Sequence, residues 1–179
     1  VIAQSFPSGT RQVASNELET SGDAQNINQN ALNIANFIQG TDVGMIEREA
    51  AGDQLARNTI KTGGDFENIS QAALNVVNYA QVDNVDILDQ AATGTQTTVN
   101  RITIAGKSAG NAQQIQQVFL NSANMVEAPG SIGKIKQTTD VDTKIINEIN
   151  GTNNNAATSL TTFQSASSVG NLVIIDNSK

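Results

Sequence analysis

A fifteen-residue phrase occurs three times in this chain, as GDAQNINQNALNIAN from Gly22, GDFENISQAALNVVN from Gly64 and GNAQQIQQVFLNSAN from Gly110. The copies start 42 and then 46 residues apart. At such spacings one supersecondary unit recurs and buries its apolar side only against its neighbours. The repeat limits the architecture to a stack or a bundle of similar units before any single residue is considered.

Within the phrase, Ile27, Ala31, Ile34 and Ile38 follow one another at steps of four, three and four. Ile69, Ala73, Val76, Ala80 and Ile115, Phe119, Ser122, Val126 keep the same steps, which is the period of a helix. Leu32, Leu74 and Leu120 widen the stripe on one side, and Phe37, Tyr79 and Met125 border it on the other. The Gly-Asp or Gly-Asn ahead of each run breaks the preceding element, and Asp23, Asp65 or Asn111 then serves as helix cap. A second element follows in each unit, marked by Val43, Ile46, Ala50, Ile60, then Val85, Leu88, Ala92, Ile102, then Ile132, Ile135, Thr139, Ile149. Gly52, Gly94 and the stretch TTVNRITIAG weaken helix propensity there and admit broken or extended backbone. Links after Gln39, Gln81 and Glu127 are short, which favours antiparallel hairpins, and Pro129-Gly130 accounts for a one-residue slip in the third copy.

These patterns predict an all-α fold of three tandem helical-hairpin repeats, either a short α-solenoid or a six-helix bundle. The domain reading is an N-terminal arm over 1–21, a helical body over 22–151 (units 22–63, 64–109 and 110–151), and an Asn/Thr/Ser-rich linker with an extended tail over 152–179. In that tail the short apolar run Leu172 to Ile175 is the best strand candidate of the chain.

Composition excludes more than it identifies. With 17 acidic against 10 basic residues the net charge is -7, without the basic footprint of a nucleic-acid binder. No run reaches the roughly 20 apolar residues that cross a bilayer as a helix. Cys and His are both absent, which removes disulfides, thiolate metal sites, the commonest general base and the commonest transition-metal ligand. The opening VIAQSFPSG reads as a mature end left by leader removal. Together with low charge and abundant Asn, Gln, Thr and Ala, it points to an exported, extracellular or cell-surface protein.

The most distinctive feature is a set of carboxamides. Asn26, Gln29, Asn33 and Asn36 fall on one side of a helix drawn through the first phrase, and Asn68, Gln71, Asn75, Asn78 and Gln114, Gln117, Asn121, Asn124 repeat them position for position. A solvated helix face would favour Lys and Glu over Asn. The twelve amides are therefore read as a contact surface, for other subunits or for a hydroxyl-rich ligand. The alternative is that they hydrogen-bond between neighbouring repeats and hold the stack in register, since amides satisfy one another without the desolvation cost of ions.

Other constellations are weaker. Asp83, Asp86 and Asp89, with Asp140 and Asp142, lack the loop spacing of a calcium site and are better explained as helix-start charges. Glu47 and Glu49 point apart on a helix and read as solvated. Asn68-Ile-Ser70 and Asn150-Gly-Thr152 are glycosylation sequons only in a eukaryotic secretory pathway, and Asn150-Gly151 is also a turn signal. Phe6, Phe66 and Phe163 read as core.

No catalytic residue, cofactor site or metal site emerges, and the expectation is a non-enzymatic structural subunit that self-associates into a surface or filamentous assembly. The competing expectation is a secreted helical module that binds a lipid, another apolar ligand or a surface polysaccharide.

Overall fold

A computed structural model of the protein describes residues 1–104, 113–151 and 162–175. These residues contain nine strands and no helix: β1 (Ile2–Phe6), β2 (Arg11–Thr20), β3 (Ala24–Ala50), β4 (Asp53–Thr62), β5 (Phe66–Ile104), β6 (Gln113–Ala128), β7 (Ile132–Gly151), β8 (Thr162–Val169) and β9 (Leu172–Ile175). Every pairing among them is parallel and joins residues about one sequence repeat apart, such as Ile27 with Ile69 and Ile69 with Ile115. The fold is thus a parallel β-solenoid in which one repeat makes one coil, and neighbouring coils lie about 4.8 Å apart.

Each coil is flattened into two faces that run in opposite directions. Face I holds 27–38, 69–80, 115–126 and 162–173, while face II holds 2–18, 46–60, 88–102 and 135–149. Four apolar clusters join the faces in order along the coil. Ile27, Ile69 and Ile115 meet Leu18, Ile60, Ile102 and Ile149, and Ala31, Ala73 and Phe119 meet Ala14, Ala56 and Ile145. Farther along, Ala35, Val77 and Ala123 meet Phe6, Ala50, Ala92 and Val141, and Ile38, Ala80 and Val126 meet Ile2, Ile46 and Leu88.

The expected all-α hairpin repeats are therefore corrected to an all-β solenoid, and the helical repeat with them. The physical reason lies in where the amides sit. The inward residues of the first face are Ala24, Ile27, Gln29, Ala31, Asn33, Ala35 and Ile38. Their apolar members alone are spaced by three, four, four and three, which imitates a helix. The strand alternation is hidden because Gln29 and Asn33 occupy the inward positions between them, while Leu32 and Ile34 point outward and are 51% and 41% exposed. Two left-handed asparagines break the alternation further: Asn26 and Asn36 have φ of 53° and 57°, and each moves the inward phase by one residue at a corner. Asn68, Asn78 and Asn124 adopt the same conformation at 52°, 56° and 54°. Asparagine tolerates this region better than other residues with a Cβ.

Residues 1–21 lie mainly in β1 and β2, paired with β3 and β4 in the same parallel sense as the repeats. At the other end β8 and β9 pair with β6. Among the described residues, one change of spacing falls at a corner. The spacing between partners is 46 from Gln81 to Glu127 and 47 from Val85 to Ile132, and Pro129-Gly130 lies between these pairs. A Cβ on Gly130 would collide with the carbonyl oxygen of Asp83, so the extra residue is accommodated by a glycine at the point of closest approach.

Gly94 provides a test of the coil spacing. It has φ of +93°, and a Cβ there would lie 2.8 Å from the carbonyl oxygen of Gly52 in the coil below. Gly94→Ala is expected to cost about 2 kcal/mol or more. Denaturant unfolding measures this, and an unchanged midpoint would contradict the corner geometry.

Candidate functional site

The amides singled out in the sequence lie largely inside the coil, as ladders along the solenoid axis. Asn33 Nδ2 donates to Asn75 Oδ1 at 2.9 Å, and Asn75 Nδ2 donates to Asn121 Oδ1 at 3.1 Å. Asn36, Asn78, Asn124 and Asn171 form a second ladder at 2.8, 2.8 and 2.9 Å. Gln164, Gln117, Gln71 and Gln29 form a third at 2.9, 2.9 and 2.8 Å, with donors pointing the opposite way along the axis. Asn68 donates to Asn26 Oδ1 at 3.0 Å on the exposed corner. Gln114 belongs to β6, but its side chain lies outside the described residues.

Sequence reading missed the ladders on face II. Asn16, Asn58 and Asn100 form one at 2.9 Å for each step, and Gln96, Gln54 and Gln12 form another at 3.1 and 2.9 Å. Their signal was present, because Asn16, Asn58 and Asn100 are spaced by 42 residues. These residues lie outside the three copies of the fifteen-residue phrase.

The second amide proton of many of these side chains crosses the interior to a backbone carbonyl of the opposite face. Asn75 donates to Thr97 O at 2.8 Å, Gln54 to Val76 O at 3.1 Å and Gln96 to Ser122 O at 3.0 Å. At one corner the exchange is mutual, since Asn78 donates to Ala91 O at 2.8 Å and Gln90 donates to Asn78 O at 3.1 Å. Chemically this arrangement holds rungs in register and faces together, with buried polar groups matched to one another.

One interior position departs from the pattern. Arg48 stands in a column with Gln4, Gln90 and Gln137 and is only 2% exposed. Its Nη1 donates to Asn36 O and to Tyr79 O, whereas its Nε and Nη2 have no partner. Desolvation pushes this guanidinium below its ordinary value, to about 10, so it remains charged at neutral pH. The unfolded chain holds that proton more tightly, hence the cost to the fold is present below about pH 10 and is relieved only as pH rises toward the unfolded value.

The outer surfaces of the two faces differ in kind. Residues 27–38, 69–80, 115–126 and 162–173, which make face I, contain no Asp, Glu, Lys or Arg. Outward ladders of Leu32, Leu74 and Leu120, and of Phe37, Tyr79, Met125 and Leu172, run across it. The Phe37 and Tyr79 rings are 5.4 Å apart and tilted by 36°. Face II carries the ion pairs, including Arg101 with Glu148 at 2.7 Å and Lys136 with Asp89 at 2.9 Å. Asn150 and Arg101, in that order, lower the Glu148 carboxyl, and Glu19 leads in raising the Lys61 ammonium.

The remaining sequence candidates do not converge. Asp83 and Asp86 are exposed and Asp89 is engaged with Lys136. No group of three or more acidic residues able to hold a metal occurs among the described residues. Glu47 and Glu49 are both exposed on face II. Phe6 is buried in the core as expected, but Phe163 is 58% exposed on face I, which corrects its assignment to the core; the Phe66 side chain lies outside the described residues. Among the described residues no helix is long and apolar enough to cross a membrane. No protein-family model, curated protein or solved structure matches the chain.

Two positions separate the contributions of the ladders. Arg48→Gln restores an amide column and removes an uncompensated buried charge, so stability is expected to rise by about 1–3 kcal/mol; a fall would mean that the two bonds to backbone outweigh desolvation. Asn78→Gly keeps the left-handed backbone accessible and removes the ladder, for a loss of about 1–3 kcal/mol. Asn78→Ala adds a conformational cost of about 1 kcal/mol to that loss. Denaturant unfolding reads all three variants, and equal midpoints for the two at Asn78 would contradict a left-handed corner.

Proposed function

We propose that this chain is a non-catalytic structural subunit, exported to the cell surface or its surroundings, whose copies associate into a surface or filamentous assembly. The observation that carries this reading is the separation of charge between the two outer faces. A sheet face that is free of charge over four coils, with Leu32, Ile34 and Phe37 each substantially exposed, is costly to leave in water and favourable to cover.

A second reading, capture of a polysaccharide or an apolar ligand, draws support from the Phe37 and Tyr79 pair, which offers aromatic surface on that same neutral face. It does not draw on the interior of the coil, where the ladders and the four apolar clusters meet. A ligand-binding module stays monomeric and saturates with ligand, whereas a structural subunit gains mass with concentration.

Light scattering over a concentration series, with electron microscopy of the products, distinguishes the two. Mass is expected to rise with protein concentration and with salt, because the net charge of -7 opposes association and salt screens it. A monomer of 18.8 kDa at every concentration would exclude the structural reading. Phe37→Lys, at a 45% exposed position paired with the Tyr79 ring, is expected to cost about 1 kcal/mol of stability while reducing association through face I.

A further inference from the structure

We infer that a groove along the corner that follows face I binds a neutral polysaccharide, with the sugar chain extended along the solenoid axis. This deepens the ligand-capture reading above and rests on it, by assigning a site and a class of glycan. The groove has a volume of about 690 Å³, within the ~300–1,000 Å³ of small-molecule sites. It runs along the side of the solenoid. Gln39, Gln81, Glu127 and Ile174 pair in that order from coil to coil and form a row beside it. The row crosses four coils and spans about 14 Å, three steps of about 4.8 Å.

Strand alternation sets what borders the groove. Phe37 and Gln39 point outward on either side of the buried Ile38, and Tyr79 and Gln81 do so about the buried Ala80. The tilted Phe37 and Tyr79 pair therefore adjoins the row on the same side of the sheet. The positions that come next in the groove include Gly40 and Ala128, which fill little space, and Thr41 and Asp83 border it beyond them.

The chemistry of the lining selects the ligand. Gln39 Nε2 donates to Gln81 Oε1 at 3.2 Å, which leaves the Gln81 amide protons to the groove. Thr41 adds a hydroxyl, and Asp83 and Glu127 add carboxylate acceptors. Donors and acceptors thus stand side by side. A sugar hydroxyl donates and accepts at once and meets both kinds, whereas an ammonium or guanidinium offers donors alone. Sugar rings also present C–H faces, which suit the aromatic pair and Ile174. Among the described residues that line the groove there is no Lys or Arg, and the two carboxylates repel uronate or sulfate groups. The rise of about 4.8 Å per coil is close to the advance per ring of an extended hexose chain, so successive rings meet successive coils.

Isothermal titration calorimetry of the full chain with soluble β-1,4-linked glucose oligosaccharides tests the site. Saturable binding is expected, and it should change by less than about twofold between low and high salt because the ligand is uncharged. Gln81→Ala and Asp83→Ala, both at exposed positions, remove donors and an acceptor without touching the core. Each is expected to weaken binding about tenfold. Glu47→Ala, exposed on face II, is expected to leave binding unchanged, and circular dichroism of the three variants checks that they fold. Binding that survives both groove variants but is lost in Phe37→Ala overturns the groove and leaves ligand capture standing. Binding of oligolysine in place of the glucose oligosaccharides, abolished by salt, overturns the glycan and makes the groove a cation site. A galacturonate oligomer bound in their place overturns the neutral class. No binding of any of these probes overturns the site and the capture reading together, while light scattering of the same samples reads self-association separately.

Discussion

A carboxamide taken out of water brings two donor protons and an acceptor oxygen, and leaving any of them unmet costs on the order of 1–3 kcal/mol. Stacking identical amides at the spacing of neighbouring strands meets that demand, because each side chain donates to the one above or below and still has a proton for the opposite face. Asn75 does this with Asn121 Oδ1 and Thr97 O. The rest of the solenoid depends on the resulting constraint. A ladder survives only if every coil has the same length between amides, so insertions are restricted to corners such as Pro129-Gly130.

The ladders also explain how so thin an interior is held together. Many inward positions are Ala, which brings the faces close but buries little apolar area. Cross-face bonds from Gln54, Gln96 and Asn100 link one coil to the opposite face of the next, so that register along the axis and contact between faces are maintained by the same side chains. Arg48 shows the tolerance of this arrangement: a guanidinium occupies a glutamine column by reaching two carbonyls, with two of its nitrogens unmatched.

With the amides turned inward, apolar side chains are left for the outside of face I, the reverse of the usual assignment of polar residues to the surface. Among the described residues, charge is confined to face II and the corners. This division leaves a neutral, partly apolar face on one side of the solenoid and a charged face on the other. The two differ in chemistry, since covering the neutral face depends on the area removed from water while contacts of the charged face depend on ion pairing and salt.

The sequence by itself determined that the chain is a repeat and that positions such as Asn33, Asn75 and Asn121 are equivalent; the observed strand partners are those equivalences. It also determined the charge balance and the absence of Cys and His. Only the tertiary structure decided the type of element. Ala24, Ile27, Ala31, Ala35 and Ile38 have helical spacing in one dimension, and their neighbours Gln29 and Asn33 become inward residues only once adjacent coils provide matching amides. Hydrophobic periodicity records which residues leave water on apolar grounds. It cannot record a polar group whose burial is made favourable by its own copy one coil away.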